Sequence, residues 1–231
     1  MTASPLTRLN KFIAHATGIS RREADIAIEQ GRVTVNGAVA TLGTQVNTAS
    51  DRVTVDNKPV TAAQHYTYIA LHKPVGYICS RRRQGDTPTI YELLPPQYRA
   101  LKPVGRLDRD SSGILLLTDD GDFAHRMTHP GFHKTKIYEV SLDQPLQPLH
   151  QQMISDYGVA LEDGVSRFLV EKIEPSANEN YRVTMHEGRN RQIRRTFAAL
   201  GYTVTTLHRT TFGSYSLGNL APGKAIEVQL S

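Results

Sequence analysis

The sequence lacks the features of a membrane protein or an exported protein. None of its apolar runs approaches the roughly 20 residues that a transmembrane helix needs, and residues 1–7 contain no hydrophobic stretch of the kind found in signal peptides. Internal repeats and low-complexity segments are absent as well. We therefore expect a cytoplasmic protein with no membrane partner.

Cysteine is nearly absent too. The single residue, Cys79, cannot form a disulfide within the chain, and no group of Cys and His residues has the spacing of zinc ligands. The sequence thus predicts neither a disulfide framework nor a metal centre. Cys79 is expected to be a buried, inert thiol.

The charge of the chain is small but unevenly distributed. Hydrophobic residues make up 39% of the sequence and charged residues 21%, as in ordinary folded proteins, and the net charge is +5. The window 182–209 holds six arginines and one acid, and the acid-free window 73–83 contains Lys73 and the run Arg81-Arg-Arg83. One such run is usually a solvated face, whereas two separate runs indicate a polyanion lying across the surface.

Residues 8–60 predict two helices followed by strands. The first helix is predicted by apolar residues at helical spacing, which are Leu9, Phe12, Ile13 and Ala16. Gly18 is a natural stop for it, and Ser20 with Glu23 forms a capping box for the second helix. Apolar residues then alternate on both sides of Asn36-Gly37, the strongest short signal for a β-hairpin, and residues 53–55 continue the strand pattern.

This region resembles the S4 RNA-binding domain over about residues 8–55. The strings that carry the resemblance are Ser20-Arg-Arg-Glu-Ala24 and Gly31-Arg-Val-Thr-Val-Asn-Gly37. In that family, basic residues of the two helices contact RNA phosphates. The resemblance therefore implies RNA contacts from Arg8, Lys11, Arg21, Arg22 and Arg32. An arginine at a helix N-terminus opposes the helix dipole, and a bound phosphate would explain why two are present there.

The remainder of the chain predicts a second domain of mixed character. Strands are predicted at residues 68–71, 114–117, 136–142, 168–173, 181–185 and 203–207. Helices are predicted near residues 90–94, 149–155 and 192–200. Because several strands follow one another without a helix between them, we expect a mixed, mainly antiparallel sheet. The fold class is then α+β, with a small αα-β domain at residues 1–62, a linker at 61–66 and a second domain at 66–231.

The most informative string is Gly105-Arg-Leu-Asp-Arg-Asp-Ser-Ser-Gly113, which comes directly before an apolar strand. Within it, Arg106 and Arg109 flank Asp108 and would hold that carboxylate ionised, so that it could act as a nucleophile. For such a string in isolation, a structural Asp–Arg pair is the more common explanation.

The string resembles the catalytic loop of RNA pseudouridine synthases, in the branch that modifies bacterial ribosomal RNA and carries an N-terminal S4 domain. Three other strings resemble motifs of that family in the same order, namely His72-Lys-Pro-Val-Gly-Tyr77, Lys136-Ile-Tyr138 and Glu187-Gly-Arg-Asn-Arg-Gln-Ile-Arg-Arg195. Together with the S4 domain, the resemblance covers nearly the whole chain.

The resemblance implies a role for each matching residue. Asp108 is the implied nucleophile, Arg194 its ion-pair partner, Tyr138 the ring that stacks on the target base or acts as a general base, and Leu207 the apolar residue beneath the uracil. RNA contacts near the flipped nucleotide are expected from Lys73, Arg106, Arg109, Arg189, Arg191 and Arg209. The reaction breaks N1–C1′ and joins C5 to C1′, so it needs no cofactor or metal. Either an acylal or a glycal intermediate is compatible with this sequence.

The implied partner is ribosomal RNA or a ribosome-assembly intermediate, bound by a monomer. The strings 187–195 and 159–164 are more similar to members that act on large-subunit RNA, with small-subunit RNA as the alternative, and the run 81–83 departs from the family pattern. Two other classes stay open. One is a non-catalytic ribosome-assembly factor, and the other is a metal-dependent nuclease or glycosyltransferase with the acidic residues Asp108, Asp110, Asp119 and Asp120 as ligands.

Overall fold

The computed structural model describes residues 6–61, 65–173 and 180–230. The chain forms two compact units, residues 1–66, the N-terminal unit, and residues 67–231, the C-terminal unit. Part of the predicted linker, residues 62–64, lies outside the described residues. Among the helices that are described, none has the length and apolar character needed to cross a membrane.

The N-terminal unit has the predicted order of two helices followed by strands. Its elements are β1 (Thr7–Arg8), α1 (Leu9–Thr17), α2 (Arg21–Glu29), β2 (Val33–Val35), β3 (Ala38–Val39), β4 (Gln45–Val46), β5 (Val53–Val55) and β6 (Lys58–Val60). Four strands form an antiparallel sheet in the order β3-β2-β5-β6, and β1 pairs with β4. A small core of apolar side chains from both helices and the sheet fills the space between them.

Local signals in the sequence account for the ends of these elements. Ser20 Oγ accepts a hydrogen bond from the Glu23 N–H at 3.1 Å, and the Glu23 carboxylate accepts the Ser20 N–H at 2.6 Å, which confirms the capping box. Gly18 ends α1 in the left-handed conformation, with φ of 80°. Asn36 and Gly37 both have positive φ, as a two-residue hairpin turn with the right twist requires.

The C-terminal unit is built on one large sheet. The strands of this sheet are β7 (Tyr68–Lys73), β8 (Lys102–Pro103), β9 (Ser112–Thr118), β10 (Lys136–Leu142), β13 (Leu169–Lys172), β14 (Asn180–Met185), β15 (Val204–Phe212), β16 (Tyr215–Ser216) and β17 (Ala225–Glu227). Two further strands of the unit, β11 (Val159–Leu161) and β12 (Gly164–Ser166), pair with each other in a separate hairpin. Its helices are α3 (Gly121–Thr128), α4 (Pro148–Gln152), which continues as a π-helical turn at Met153–Tyr157, and α5 (Gln192–Ala199). Short 3-10 turns lie at Ile90–Glu92, Pro96–Tyr98 and Pro130–Phe132.

The sheet is mixed and mainly antiparallel, as the sequence predicts. Its order is β13-β14-β10-β15-β9-β7-β17, and β9 with β15 is its parallel pair. Both faces of β9 are buried, since Leu115 and Leu117 pack in one core with Phe197 of α5, while Ile114 and Leu116 pack in another with α3. Burial on both faces explains why residues 114–117 form an unbroken apolar run.

Several elements differ from the sequence prediction. The strands β8, β11, β12, β16 and β17 were not predicted, and the helix predicted near residues 90–94 is a short 3-10 turn at Ile90–Glu92. Helix α3 was not predicted, although Asp120 caps it and the buried residues Phe123 and Met127 have helical spacing. Strand β15 runs to Phe212, five residues beyond its predicted end at Leu207. Its polar second half resembles a strand end in sequence, yet Arg209 is buried there through hydrogen bonds that only tertiary contacts supply.

The arginine run 81–83 serves loop structure at two of its three positions. Arg81 donates hydrogen bonds to three consecutive carbonyl oxygens, those of residues 99, 100 and 101, and lies over the ring of Tyr91. Arg83 forms an ion pair with Glu92 at 2.5 Å. Nearby, Cys79 is half-buried rather than fully buried, and burial raises the pKa of its thiol.

Candidate active site

A cavity of about 330 Å³ opens in the C-terminal unit between the loop 105–111, the strands β10 and β15, and the start of α5. This volume lies at the lower end of the range for small-ligand pockets. Three of the four residues predicted for the active site line it, namely Asp108, Tyr138 and Leu207. The sequence motifs, which are up to 99 residues apart along the chain, therefore meet at one place.

The loop that carries Asp108 is held by a buried lysine. The Lys73 ammonium group donates hydrogen bonds to the carbonyl oxygens of Pro74 at 3.1 Å, Asp108 at 2.9 Å and Ser111 at 2.6 Å. Lys73 is 0% exposed, and desolvation lowers its pKa to about 8. All three donors of Lys73 are therefore used within the protein, and its predicted contact with RNA stays a prediction.

The strand that follows the loop depends on a glycine and a second buried cation. At Gly113, φ is +111°, and a Cβ atom there would lie 2.1 Å from the carbonyl oxygen of Arg209, so only glycine fits between β9 and β15. The Arg209 guanidinium donates two hydrogen bonds to the carbonyl oxygen of Ile114 and lies over the Phe212 ring. With 2% exposure, Arg209 joins two strands, and it also lines the cavity, so its predicted contact with RNA stays a prediction.

The arginine nearest to Asp108 is not the predicted one. Arg191 Nη1 lies 3.7 Å from Asp108 Oδ2, and the same guanidinium forms two 3.1 Å hydrogen bonds to Asp110. Arg194, the predicted partner, has its Nε 3.2 Å from Asp110 Oδ2 and donates to the carbonyl oxygens of Asp110 and Val204. The structure therefore corrects the prediction, since Arg194 anchors the neighbouring residue of the loop.

Both arginines affect the pKa of Asp110. Desolvation acts to raise the pKa of Asp110, but the hydrogen bond from Arg191 and the charge of Arg194 outweigh it and lower the pKa overall. Arg191 itself has φ of +46°, a left-handed conformation that is uncommon for a residue with a side chain. Such strain persists where surrounding contacts fix the residue, here the contacts to the loop.

Neighbouring strands position the two uncharged residues of the site. Tyr138 on β10 pairs with Val183 of β14 and with Arg209 of β15, and a register irregularity precedes it. Leu207 lies two residues before Arg209 on the same face of β15. Tyr138 and Leu207 are each 7% exposed, so the cavity has an apolar wall beside the Asp108 loop.

Lys136 is a cavity residue that the sequence analysis did not select. It lies two positions before Tyr138, on the same side of β10, and is 8% exposed. Desolvation, then the charge of Arg209, lowers the pKa of Lys136 to about 8, so it stays largely protonated at neutral pH. The period of two along a strand is the signal that could have found it.

The other residues predicted to contact RNA differ in whether their side chains already have partners within the protein. Arg106 and Arg109 are exposed, and among the residues described neither guanidinium group forms a hydrogen bond or an ion pair. The Arg189 guanidinium instead bonds Asp163 and the carbonyl oxygens of Gly164 and Val165 in the β11–β12 hairpin. Its predicted contact with RNA stays a prediction.

The basic residues of the N-terminal unit are mostly at the surface. Arg8, Arg21 and Arg22 are exposed, and Lys11 is half-buried. Arg32 is exposed too, but its guanidinium forms a bidentate pair with Asp56. The N-terminus of α2 thus presents Arg21 and Arg22 to solvent.

The carboxylates considered as metal ligands have other partners. Asp119 accepts the Thr67 N–H at 2.8 Å, while Asp120 caps α3 and accepts the hydroxyl of Tyr68 at 2.9 Å. In the described ranges, no three His, Cys, Asp or Glu side chains are grouped so that they could hold a metal ion.

Comparison with known proteins identifies the family of the unit that contains the cavity. Residues 67–199 match the RNA pseudouridylate synthase family, and residues 7–53 match the S4 domain. The chain belongs to the RNA pseudouridine synthase family. The resemblance inferred from the sequence motifs is confirmed, and so is the α+β fold with an N-terminal S4 domain.

Relatives are similar over nearly their whole length. The chain is 38% identical to ribosomal small subunit pseudouridine synthase A of Pasteurella multocida, covering 94% of both chains. It is 36% identical to ribosomal large subunit pseudouridine synthase B of Bacillus subtilis, over 96% of this chain and 92% of the relative. A crystal structure of a pseudouridylate synthase matches with a TM-score of 0.67 and 33% identity over 96% of each chain.

Proposed function

We propose that this enzyme converts uridine to pseudouridine in ribosomal RNA, with Asp108 as the nucleophile. The observation that carries the proposal is that Asp108 lies in the wall of a cavity whose other side is formed by Tyr138 and Leu207. Relatives of both ribosomal subunit names support ribosomal RNA as the substrate.

The reaction requires that the base detach, turn and rejoin without leaving the protein. In one route, the Asp108 carboxylate attacks C1′ as N1 leaves, and C5 then displaces the carboxylate. In the other, the carboxylate removes the C2′ proton as the N1–C1′ bond breaks, which gives a glycal; C5 then bonds to C1′ and the carboxylic acid returns the proton to C2′. In both routes the detached uracil stays between Tyr138 and Leu207, and the proton on C5 is lost at the end. We propose the Tyr138 hydroxyl as the base that accepts it.

Two arginines position the nucleophile and its loop in this scheme. Arg191 places a positive charge 3.7 Å from the Asp108 carboxylate, where it can hold the orientation of that group. Arg194 fixes Asp110 and hence the course of the loop. Lys73 also fixes the loop, through its hydrogen bond to the Asp108 carbonyl oxygen, so the carboxylate is oriented before RNA binds.

The target uridine must leave its stack to enter the cavity, which costs a few kcal/mol. We propose that Arg106 and Arg109 bind the backbone beside it, because both are exposed and their guanidinium groups have no hydrogen-bond or ion-pair partner in the described residues. The S4 domain binds RNA further away, through Arg8, Lys11, Arg21, Arg22 and Arg32. In solution the enzyme acts as a monomer.

Large-subunit RNA is the first candidate substrate, on the resemblance of the strings 159–164 and 187–195 to members of that kind, and small-subunit RNA is the alternative, since relatives carry both subunit names. The test is to incubate the purified enzyme with transcripts of each ribosomal RNA and to separate the nucleosides chromatographically. Pseudouridine is expected in one transcript and in neither with Asp108→Ala. Its appearance in small-subunit RNA would favour the alternative, and its absence from both would contradict the proposal.

The same assay separates the other classes. A non-catalytic assembly factor would form no pseudouridine and would keep its effect on ribosome assembly after Asp108→Ala. A metal-dependent nuclease or glycosyltransferase would lose activity in excess chelator. We expect pseudouridine formation to survive the chelator, since no step of the isomerisation transfers a phosphoryl group.

A further inference from the structure

A group of aromatic rings lies at the end of α3 and in the turn after it, outside the residues that the mechanism uses. His125, His129 and Phe132 contact one another, with ring centroids 4.8 to 6.1 Å apart. All three are exposed, and Phe132 keeps 47% of its surface accessible. None of them belongs to a core cluster, so packing inside the protein does not account for them.

The ring group borders the mouth of the cavity. Thr128 and Pro130, which lie between these rings in sequence, line the same cavity as Asp108 and Arg106. A Cβ atom on Gly105 would be 3.5 Å from Thr128 Cγ2, which shows how closely the end of α3 approaches the start of the Asp108 loop. A ligand that protrudes from the cavity on this side meets the rings.

The charge around the rings favours a polyanion. Residues 123–138 contain no Asp or Glu, and they include Arg126 and Lys134. The His129 Nδ1 accepts the Gly131 N–H at 3.1 Å, which holds this ring in the turn after α3. Flat rings beside cations suit a partner with flat bases and a charged backbone.

A metal ion is a poorer explanation for these histidines. Within the described residues, no group of three His, Cys, Asp or Glu side chains is placed to hold one. Unpaired RNA bases, in contrast, stack readily on Phe and His rings, and extrusion of one nucleotide leaves its neighbours without a stacking partner.

We propose that His125, His129 and Phe132 form a stacking surface for an unpaired base next to the uridine in the cavity. This inference rests on the proposed function, because it needs an RNA whose uridine has been extruded. The surface replaces part of the stacking that the neighbouring base loses. It contributes to RNA binding, while the chemistry stays with Asp108.

The test compares Phe132→Ala with two other variants of the full-length enzyme. Phe132→Trp keeps a ring, and Tyr157→Ala removes a 74%-exposed ring of the same unit that does not line the cavity. The probe is a short, unstructured RNA that carries one uridine with 2-aminopurine beside it. Thermal melting checks that all variants fold, which we expect because Phe132 and Tyr157 are exposed.

Loss of one stacked base should weaken binding of the probe by about tenfold in Phe132→Ala. The fluorescence quenching of 2-aminopurine should be lost, and Phe132→Trp should restore both. On ribosomal RNA, KM should rise by a similar factor with kcat unchanged, as for a contact made equally in the ground and transition states. Tyr157→Ala should match the unaltered enzyme.

Equal probe binding and quenching in Phe132→Ala and the unaltered enzyme would overturn the inference, and so would a Phe132→Ala effect that arises from loss of a dimer, seen by light scattering. The proposed function is judged separately, by whether the unaltered enzyme forms pseudouridine in ribosomal RNA. If it forms none, that function fails, and probe binding still decides whether the rings stack on RNA.

Discussion

Two sets of basic side chains, one from each unit, differ in their partners within the protein. In the N-terminal unit, Arg21 and Arg22 extend into solvent at the start of α2, with no side-chain partner among the described residues. In the C-terminal unit, Lys73 and Arg209 are buried, and Arg191 is bonded to the Asp108 loop. Residues with the same charge in the sequence therefore have different roles in the structure.

The difference lies in the partners that the fold supplies. A cation bonded to buried carbonyl oxygens maintains a loop or a strand pair, and the three hydrogen bonds of Lys73 use all the donors of its ammonium group. A cation without a partner remains available for phosphate, and its contribution to RNA binding depends on salt. We therefore expect Lys73 to contribute to stability, Arg191 to loop geometry, and Arg21 and Arg22 to RNA affinity.

The largest expected effect is on stability, from Lys73→Met. This change leaves three carbonyl oxygens without their donor, which should lower the free energy of unfolding by about 3 kcal/mol or more. Chemical denaturation measures the loss, with Arg21→Met as the matched control, expected to change stability by less than about 0.5 kcal/mol. Similar losses in both variants would break the comparison between the units.

A smaller effect is expected from Arg191→Ala. Loss of its charged hydrogen bonds to Asp110 and its proximity to Asp108 should lower kcat by about 10- to 100-fold, with little change in stability. Single-turnover rates on saturating RNA measure this. Arg195→Ala is the control on α5, because Arg195 pairs with Asp163 and does not line the cavity. If Arg195→Ala slowed the reaction as much, the special role of Arg191 would be refuted.

The smallest effect on the enzyme is expected from the double change Arg21→Ala with Arg22→Ala. RNA affinity should fall, and the slope of log affinity against log salt should decrease by roughly 1 for each arginine. The kcat at saturating RNA should be unchanged. A lower kcat with an unaltered salt slope would mean that these residues do not contact phosphate.

Much of the fold follows from short-range signals. The capping box at Ser20, the hairpin at Asn36-Gly37 and the apolar alternation of β10 each depend on a few neighbouring residues, and all three are present in the structure. The sequence predicts an end of β15 at Leu207, which is too early, because the burial of Arg209 depends on a hydrogen bond to Ile114, 95 residues away. No local pattern records such a contact.

The candidate site likewise combines features that the sequence predicts with features that it does not. The motif strings select Asp108, Tyr138 and Leu207, and the structure brings these into one cavity. The strings do not reveal which arginine approaches the nucleophile, because Arg191 and Arg194 lie within one turn of each other. The left-handed backbone of Arg191 directs it to the loop, and that conformation cannot be predicted from residue type.

The most direct test of the central claim compares the two aspartates of the loop. Asp108→Asn and Asp110→Asn remove the same charge two residues apart, next to the same arginine. RNA labelled with tritium at C5 of uridine releases tritium when C5 joins C1′, so the release rate reports turnover. We predict background release from Asp108→Asn and a measurable rate, about 10- to 100-fold reduced, from Asp110→Asn. Release by Asp108→Asn at or above the rate of Asp110→Asn would contradict the assignment of Asp108 as the nucleophile.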